Sequence, residues 1–132
     1  MYLVDTNIWL ERLLDQEKSE EVGNFLAHIS SEQLFITDFA LHSIGVVLNK
    51  LDKNEVLLQF VNDVFIQGAV SLIHLEPEDM KTMIRMMQQF NLDFDDAYQY
   101  VAAEKYELTI VSFDTDFDRT ERGRKTPVQL ES

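Results

Sequence analysis

Short apolar runs alternate with segments of helical period along the whole chain, and few folds accept that alternation. Leu3-Val4 is followed by the capping side chains Asp5-Thr6-Asn7, after which Ile8, Trp9, Leu10, Leu13 and Leu14 recur at helical spacing. Val22, Phe25, Leu26 and Ile29 mark a second helix, and Leu34-Phe35-Ile36 reads as a buried strand ending at Thr37-Asp38. Phe39, Ile44, Val47, Leu48 and Leu51 predict a third helix; Val56, Leu57, Phe60, Val61, Val64 and Phe65 predict a fourth that stops near Gly68. Ser71 to Leu75 is the next strand. Pro77 suits a first helical position, and Met80, Met83, Ile84 and Met87 form the apolar stripe of a fifth helix. Asp93 caps a sixth helix through Ala97, Tyr100 and Val101, and Leu108-Thr109-Ile110-Val111 is a strand rich in β-branched residues. A helical turn after Asp114 and a last short strand at Pro127 to Leu130 complete the chain. The repeated strand-helix order predicts an α/β protein, a three-layer α/β/α sandwich on a short, mostly parallel sheet, in one domain over residues 1–132.

Composition supports a packed core and narrows the chemistry. Hydrophobic residues make up 45% of the chain, with nine Phe, four Tyr and one Trp, which excludes global disorder. The absence of cysteine excludes disulfides, thiolate metal sites and a cysteine nucleophile, so a metal must sit on oxygen or imidazole. The start Met-Tyr-Leu-Val-Asp has no basic region leading into an apolar one, and no apolar run approaches the roughly 18 residues of a membrane span. Cytoplasmic residence without membrane contact is the expectation. A formal charge of −13 opposes phosphate binding in general, but Arg119, Arg122, Arg124 and Lys125 fall close together and predict a local basic strip for nucleic acid. The plain alternative for that strip is a solvated loop.

In open parallel sheets, side chains just beyond the C-terminal strand ends point into the ligand crevice. Asp5 follows the first strand, Asp114 and Asp116 follow the strand ending at Val111, and Asp96 lies in the first turn of the helix before it. Each acid alone is explained by helix capping. Capping does not explain why Asp114 is joined by Asp116, or Asp95 by Asp96, because like charges so close repel unless a cation joins them. Mg²⁺ or Mn²⁺ answers this, preferring carboxylate oxygens and leaving positions for a substrate phosphate, which suits phosphodiester hydrolysis. His28, His42 and His74 lack paired ligand spacing, which argues against zinc; of the three, His42 lies nearest the crevice. No G-x-S-x-G elbow or glycine-rich phosphate loop is present.

The segments L-V-D-T-N-I-W-L, L-D-F-D-D-A-Y-Q-Y-V-A-A-E and I-V-S-F-D-T-D-F resemble, in order and spacing, the three acidic signatures of PIN domains of the VapC toxin type. The resemblance covers nearly the whole chain. It implies an endoribonuclease with Mg²⁺ or Mn²⁺ on Asp5, Asp96 and Asp114, Asp116 as a further catalytic acid, and Thr6 or Asn7 with Ser112 steadying them. It also implies an RNA substrate, a homodimer and an antitoxin covering apolar helix surface around Trp9, Leu13 and Leu14, residues that serve equally as core. The pattern departs at Ser43, which stands where such domains carry a glutamate. Asp38, five residues earlier, lies about 140° around the helix and does not replace it. A second reading is therefore a PIN fold that binds RNA or protein without cutting. A haloacid-dehalogenase-type phosphatase would need Asp114-Thr115-Asp116 after the first strand, whereas it follows a late one.

Overall fold

The computed structural model describes residues 1–131. Its sheet has four parallel strands in the order β3-β2-β1-β4: β1 (Tyr2–Val4), β2 (Leu34–Thr37), β3 (Ser71–Ile73) and β4 (Thr109–Val111). Six helices connect them: α1 (Thr6–Leu13), α2 (Ser19–His28), α3 (Asp38–Lys50), α4 (Asn54–Val61), α5 (Met80–Phe90) and α6 (Phe94–Tyr106). The three-layer α/β/α reading holds. Successive strand residues point to opposite faces, so neighbours in β1 enter different cores. Leu3 packs with Met83, Tyr100 and Ile110 beneath α5 and α6, while Val4 packs with Ile8, Phe25, Ile36 and Ile44 beneath α1 to α3. No helix among the described residues is long and apolar enough to cross a membrane.

Local chemistry explains the element ends. Thr37 caps α3 by accepting from the Ala40 N–H at 3.0 Å, and Asp93 caps α6 by accepting from the Asp96 N–H at 2.8 Å. Asn91 closes α5 in the left-handed region at φ 54°, a conformation its short polar side chain tolerates. Beyond α4 the backbone widens into a π turn, Asn62–Ile66, and Gly68 ends it. A Cβ at Gly68 would meet the Asp63 and Val64 carbonyl oxygens at 2.6 Å, so only glycine allows this close approach.

Three expectations need correction. Pro127–Leu130 is a 3-10 turn, not a strand: Pro127 at its start lacks an N–H for a ladder, and Thr126 and Gln129 form a capping box. The chain pairs with β4 two residues earlier, where Lys125 donates its N–H to the Ile110 carbonyl at 2.8 Å and accepts from the Ser112 N–H at 3.0 Å. In α5 the buried methionines are Met83 and Met86, whereas Ile84 is exposed because it falls off the core-facing stripe. Leu51, expected on the third helix's apolar stripe, follows the end of α3 and is exposed.

Candidate metal centre

Strand order reverses at β1, since the chain runs outward from β1 through β2 to β3 and returns to β4 on β1's other side. A crevice opens at such a reversal, at the carboxyl ends of the strands. Asp5 leaves β1 there, its own N–H donating to the Val111 carbonyl of β4 at 2.9 Å. Its buried carboxylate accepts from four donors: the Thr6 N–H at 2.9 Å, Gln99 Nε2 at 2.9 Å, Ser112 Oγ at 2.7 Å and Asn7 Nδ2 at 3.4 Å. Burial raises the Asp5 carboxyl above the usual carboxylate range, and the Ser112 and Gln99 hydrogen bonds pull it back. Because its four neighbours all donate, the shell is built for the charged form.

The same network fixes the loop after β4. Ser112 Oγ accepts from the Asp114 N–H at 2.9 Å and from Asn7 Nδ2 at 3.2 Å, while Asn7 Oδ1 accepts from the Phe113 N–H at 3.1 Å. Asp114 then caps the turn Thr115–Arg119 by accepting from the Asp116 N–H at 2.9 Å. Asp96, Asp114 and Asp116 each place a carboxylate oxygen so that all three lie within 4.8 Å of one another. That crowding is electrostatically costly. The Asp96 carboxyl is pushed up to about 8, first by burial and then by the charges of Asp114 and Asp93.

Asp5, Asp96, Asp114 and Gln99 line a cleft of about 240 Å³ together with Thr6, Asn7, Asp95, Leu10, Phe39 and Ser43. Among the described residues, Thr6 Oγ1 is buried in its wall without a hydrogen-bond partner. Three converging carboxylates form an all-oxygen donor set, which fits Mg²⁺ or Mn²⁺ and disfavours softer ions, and the unsatisfied Thr6 hydroxyl adds a polar group to the cleft wall. The trio that one ion can span contains Asp116 in place of Asp5, and Asp5 shares the cleft lining with the other two, Asp96 and Asp114.

Helix α3 contributes Phe39 and Ser43 to the cleft, with no carboxylate. Asp38 instead accepts from the Phe39 N–H at 2.8 Å and from the Tyr98 hydroxyl at 2.7 Å, and His42 is exposed outside the cleft lining. Asp95, paired with Asp96 in the sequence, lies in the cleft, whereas the places of Leu10, Phe39 and Gln99 there escaped the sequence reading. Gln99 is 2% exposed, and its Oε1 accepts from Thr37 Oγ1 at 2.6 Å while its Nε2 serves Asp5, so one amide ties the ends of β2 and β1 to α6. Its only sequence signal is a polar residue amid the buried positions Ala97, Tyr100 and Val101. Gln99→Leu removes both bonds and leaves buried polar groups unpaired, so urea unfolding is expected to show a loss of about 1–3 kcal/mol, and an unchanged midpoint would contradict this role.

The three arginines of the basic strip are engaged within the chain. Arg119 pairs with Asp116 at 3.0 Å and donates to the Phe90 and Asn91 carbonyls at 3.1 and 2.6 Å. Arg122 donates to the Leu108 carbonyl at 3.2 Å, and Arg124 to Asp118 at 3.1 and 3.2 Å and to the Ser112 carbonyl at 3.1 Å. These guanidinium groups fasten the loop, and Arg119 does so at the rim of the acidic trio through Asp116.

No curated protein sequence matches the chain significantly. Several solved structures share its fold. A toxin-antitoxin complex from Klebsiella pneumoniae has a chain 20% identical, with a TM-score of 0.77 over 96% of this chain and 98% of that one. VapC20 of Mycobacterium tuberculosis, described as a toxin that cleaves the sarcin-ricin loop, is 15% identical with a TM-score of 0.76 over 89% and 93% of the two chains. FitAcB from Neisseria gonorrhoeae gives 20% identity and a TM-score of 0.76 over 98% and 100%. The fold of these proteins and a match of the PIN domain model to residues 2–123 agree with the acidic cleft at the strand reversal, and the chain belongs to the PIN domain family.

Proposed function

We propose that this chain is a Mg²⁺- or Mn²⁺-dependent endoribonuclease, the toxin of a toxin-antitoxin pair. The observation that carries this reading is the convergence of Asp96, Asp114 and Asp116 within 4.8 Å beside Asp5. Asp96, Asp114 and Asp116 would hold the ion, and Asp5 adds its negative charge from the cleft wall, its Oδ2 already accepting from Ser112 Oγ at 2.7 Å and Asn7 Nδ2 at 3.4 Å. When bound, the ion supplies positive charge to the scissile phosphate and acidifies the attacking water. The chain's own residues do the positioning: Ser112 and Asn7 lock the two acidic loops together, and Gln99 holds Asp5 from α6. Burial and the neighbouring charges favour the protonated form of Asp96 while no cation is bound, so metal binding is expected to release a proton. Arg119, Arg122, Arg124 and Lys125 are the cations this reading assigns to the RNA backbone, and the salt dependence of RNA binding is set by how many of them exchange their partners within the chain for phosphate.

An antitoxin partner belongs to the same reading, as does a homodimer. A second groove of about 270 Å³ runs between α1, α2 and α4, lined by Trp9, Leu13, Leu26, Phe60 and Val64. Trp9 is also core, packed edge-on against Phe60 at 5.2 Å. Leu14 is half-buried against the core and does not line the groove.

The test is incubation of the purified protein with a mixed pool of structured RNAs in Mn²⁺. Cleavage that stops in EDTA and in Asp114→Asn is expected; intact RNA, under conditions where an active PIN nuclease cuts, overturns the proposal. Ser43 on the cleft wall favours a second reading, a PIN fold that binds RNA or protein without cutting. Inactivity of the native chain with activity gained in Ser43→Glu would establish that reading in place of the first.

A further inference from the structure

The cleft is chemically divided by the elements that build it. Its acids come from the end of β1, from α6 and from the loop after β4, whereas α1 and α3 supply Thr6, Asn7, Leu10, Phe39 and Ser43, none of which carries a charge. Phe39 and Ser43 are four residues apart on α3 and so share one face of that helix. We infer that Phe39, Leu10 and Ser43 form a seat for one unpaired nucleobase beside the metal site.

This inference rests on the nuclease reading and names what the site grips next to the phosphate. The Phe39 ring is half-buried, and its position is fixed from behind. Tyr98 packs on it at a centroid distance of 5.8 Å and an interplanar angle of 47°. The Tyr98 hydroxyl in turn donates to Asp38 at 2.7 Å and accepts from the Leu75 N–H at 3.1 Å, which leaves it little freedom. A fixed aromatic ring in a cleft wall is what a base stacks on, and such stacking tolerates any sequence because every base has a π face. Charge points the same way. A glutamate in place of Ser43 would set a charged, hydrated group on this wall and oppose an apolar ring, whereas a hydroxyl offers one donor and one acceptor to a base edge. A base in a duplex keeps both faces stacked on its neighbours, so the seat selects single strands, loops or flipped-out nucleotides.

Calorimetric titration in saturating Mn²⁺ with the four nucleoside 5′-monophosphates and with ribose 5-phosphate separates base from phosphate. The native protein is expected to bind at least one nucleotide roughly ten-fold more tightly than ribose 5-phosphate. That increment should vanish in Phe39→Ala and in Phe39→Leu, which keeps an apolar side chain of similar bulk, and survive in Phe39→Tyr. Equal affinity for ribose 5-phosphate and every nucleotide overturns the base seat while leaving the metal site intact. An increment that persists in Phe39→Ala and Phe39→Leu also overturns it. No binding of any of the five ligands overturns the seat and the metal-site reading together.

Discussion

Asp96→Asn is expected to abolish Mn²⁺ binding, to slow RNA cleavage by on the order of 100-fold or more, and to make the metal-free protein more stable at pH 8. The three effects share one cause. Burial and the charges of Asp114 and Asp93 push the Asp96 carboxyl up to about 8 in the folded chain. An unfolded aspartate titrates near 4, so between those values the folded state holds a proton that the unfolded state has released. The stabilisation this gives is fully present below about pH 4 and is lost as pH rises through about 8. Thermal melts in EDTA should therefore show the native protein losing stability from pH 5 to pH 8 more steeply than Asp96→Asn. Added Mn²⁺ at pH 8 should restore the native protein by mass action and leave the variant unchanged. Parallel pH curves for the two proteins would remove the electrostatic account of the cluster. The trade is physically reasonable, because a site that must bind a cation keeps its acids closer than the empty fold prefers.

Phe117→Ala is expected to cost about 3–5 kcal/mol in urea unfolding. Phe117 is fully buried in the core beneath α5 and α6, and it sits in the turn Thr115–Arg119 between Asp116 and Asp118. Its carbonyl also accepts from Thr120, through the N–H at 3.1 Å and Oγ1 at 2.6 Å. The ring thus anchors the segment that carries two of the three acids, and removing it leaves a void beneath them. Mn²⁺ affinity should fall in the fraction that remains folded. Asp118→Asn, next to it, weakens a two-pronged pair in which Asp118 is exposed but Arg124 is 15% exposed, and since one oxygen still accepts it should cost less, about 1–2 kcal/mol. A cost below that level for Phe117→Ala would show that the turn is held by its hydrogen bonds instead of by the core.

Much of the architecture was readable because it is written locally. Asp5 after Leu3-Val4, Thr37 after Ile36 and Asp93 before Ala97 announce strand ends and helix starts with their own side chains, and the structure places all three as caps. Pro127–Leu130 was misread because two apolar residues in a short run weigh toward a strand, although Pro127 and the Thr126–Gln129 box already specified a turn. The carboxylates that converge were legible for a different reason: each follows or precedes a strand whose place in an open sheet is general. Gln99 was not legible, since its partners Thr37 and Asp5 lie 62 and 94 residues away.

The sequence by itself determined the strand-helix alternation, the capping acids, the neutral Ser43 and the PIN resemblance, because each depends on a residue and its near neighbours. Tertiary structure alone decided that Asp116 shares the trio with Asp96 and Asp114, that Gln99 bridges two strand ends, and that Phe39 enters the cleft. It also decided that Arg119, Arg122 and Arg124 fasten a loop instead of standing free, because their acceptors are carbonyls and carboxylates that only the folded chain brings within reach. A charge in a sequence is free until the fold supplies its partner, and pairing across tens of residues is set by how the layers pack, which no local pattern records.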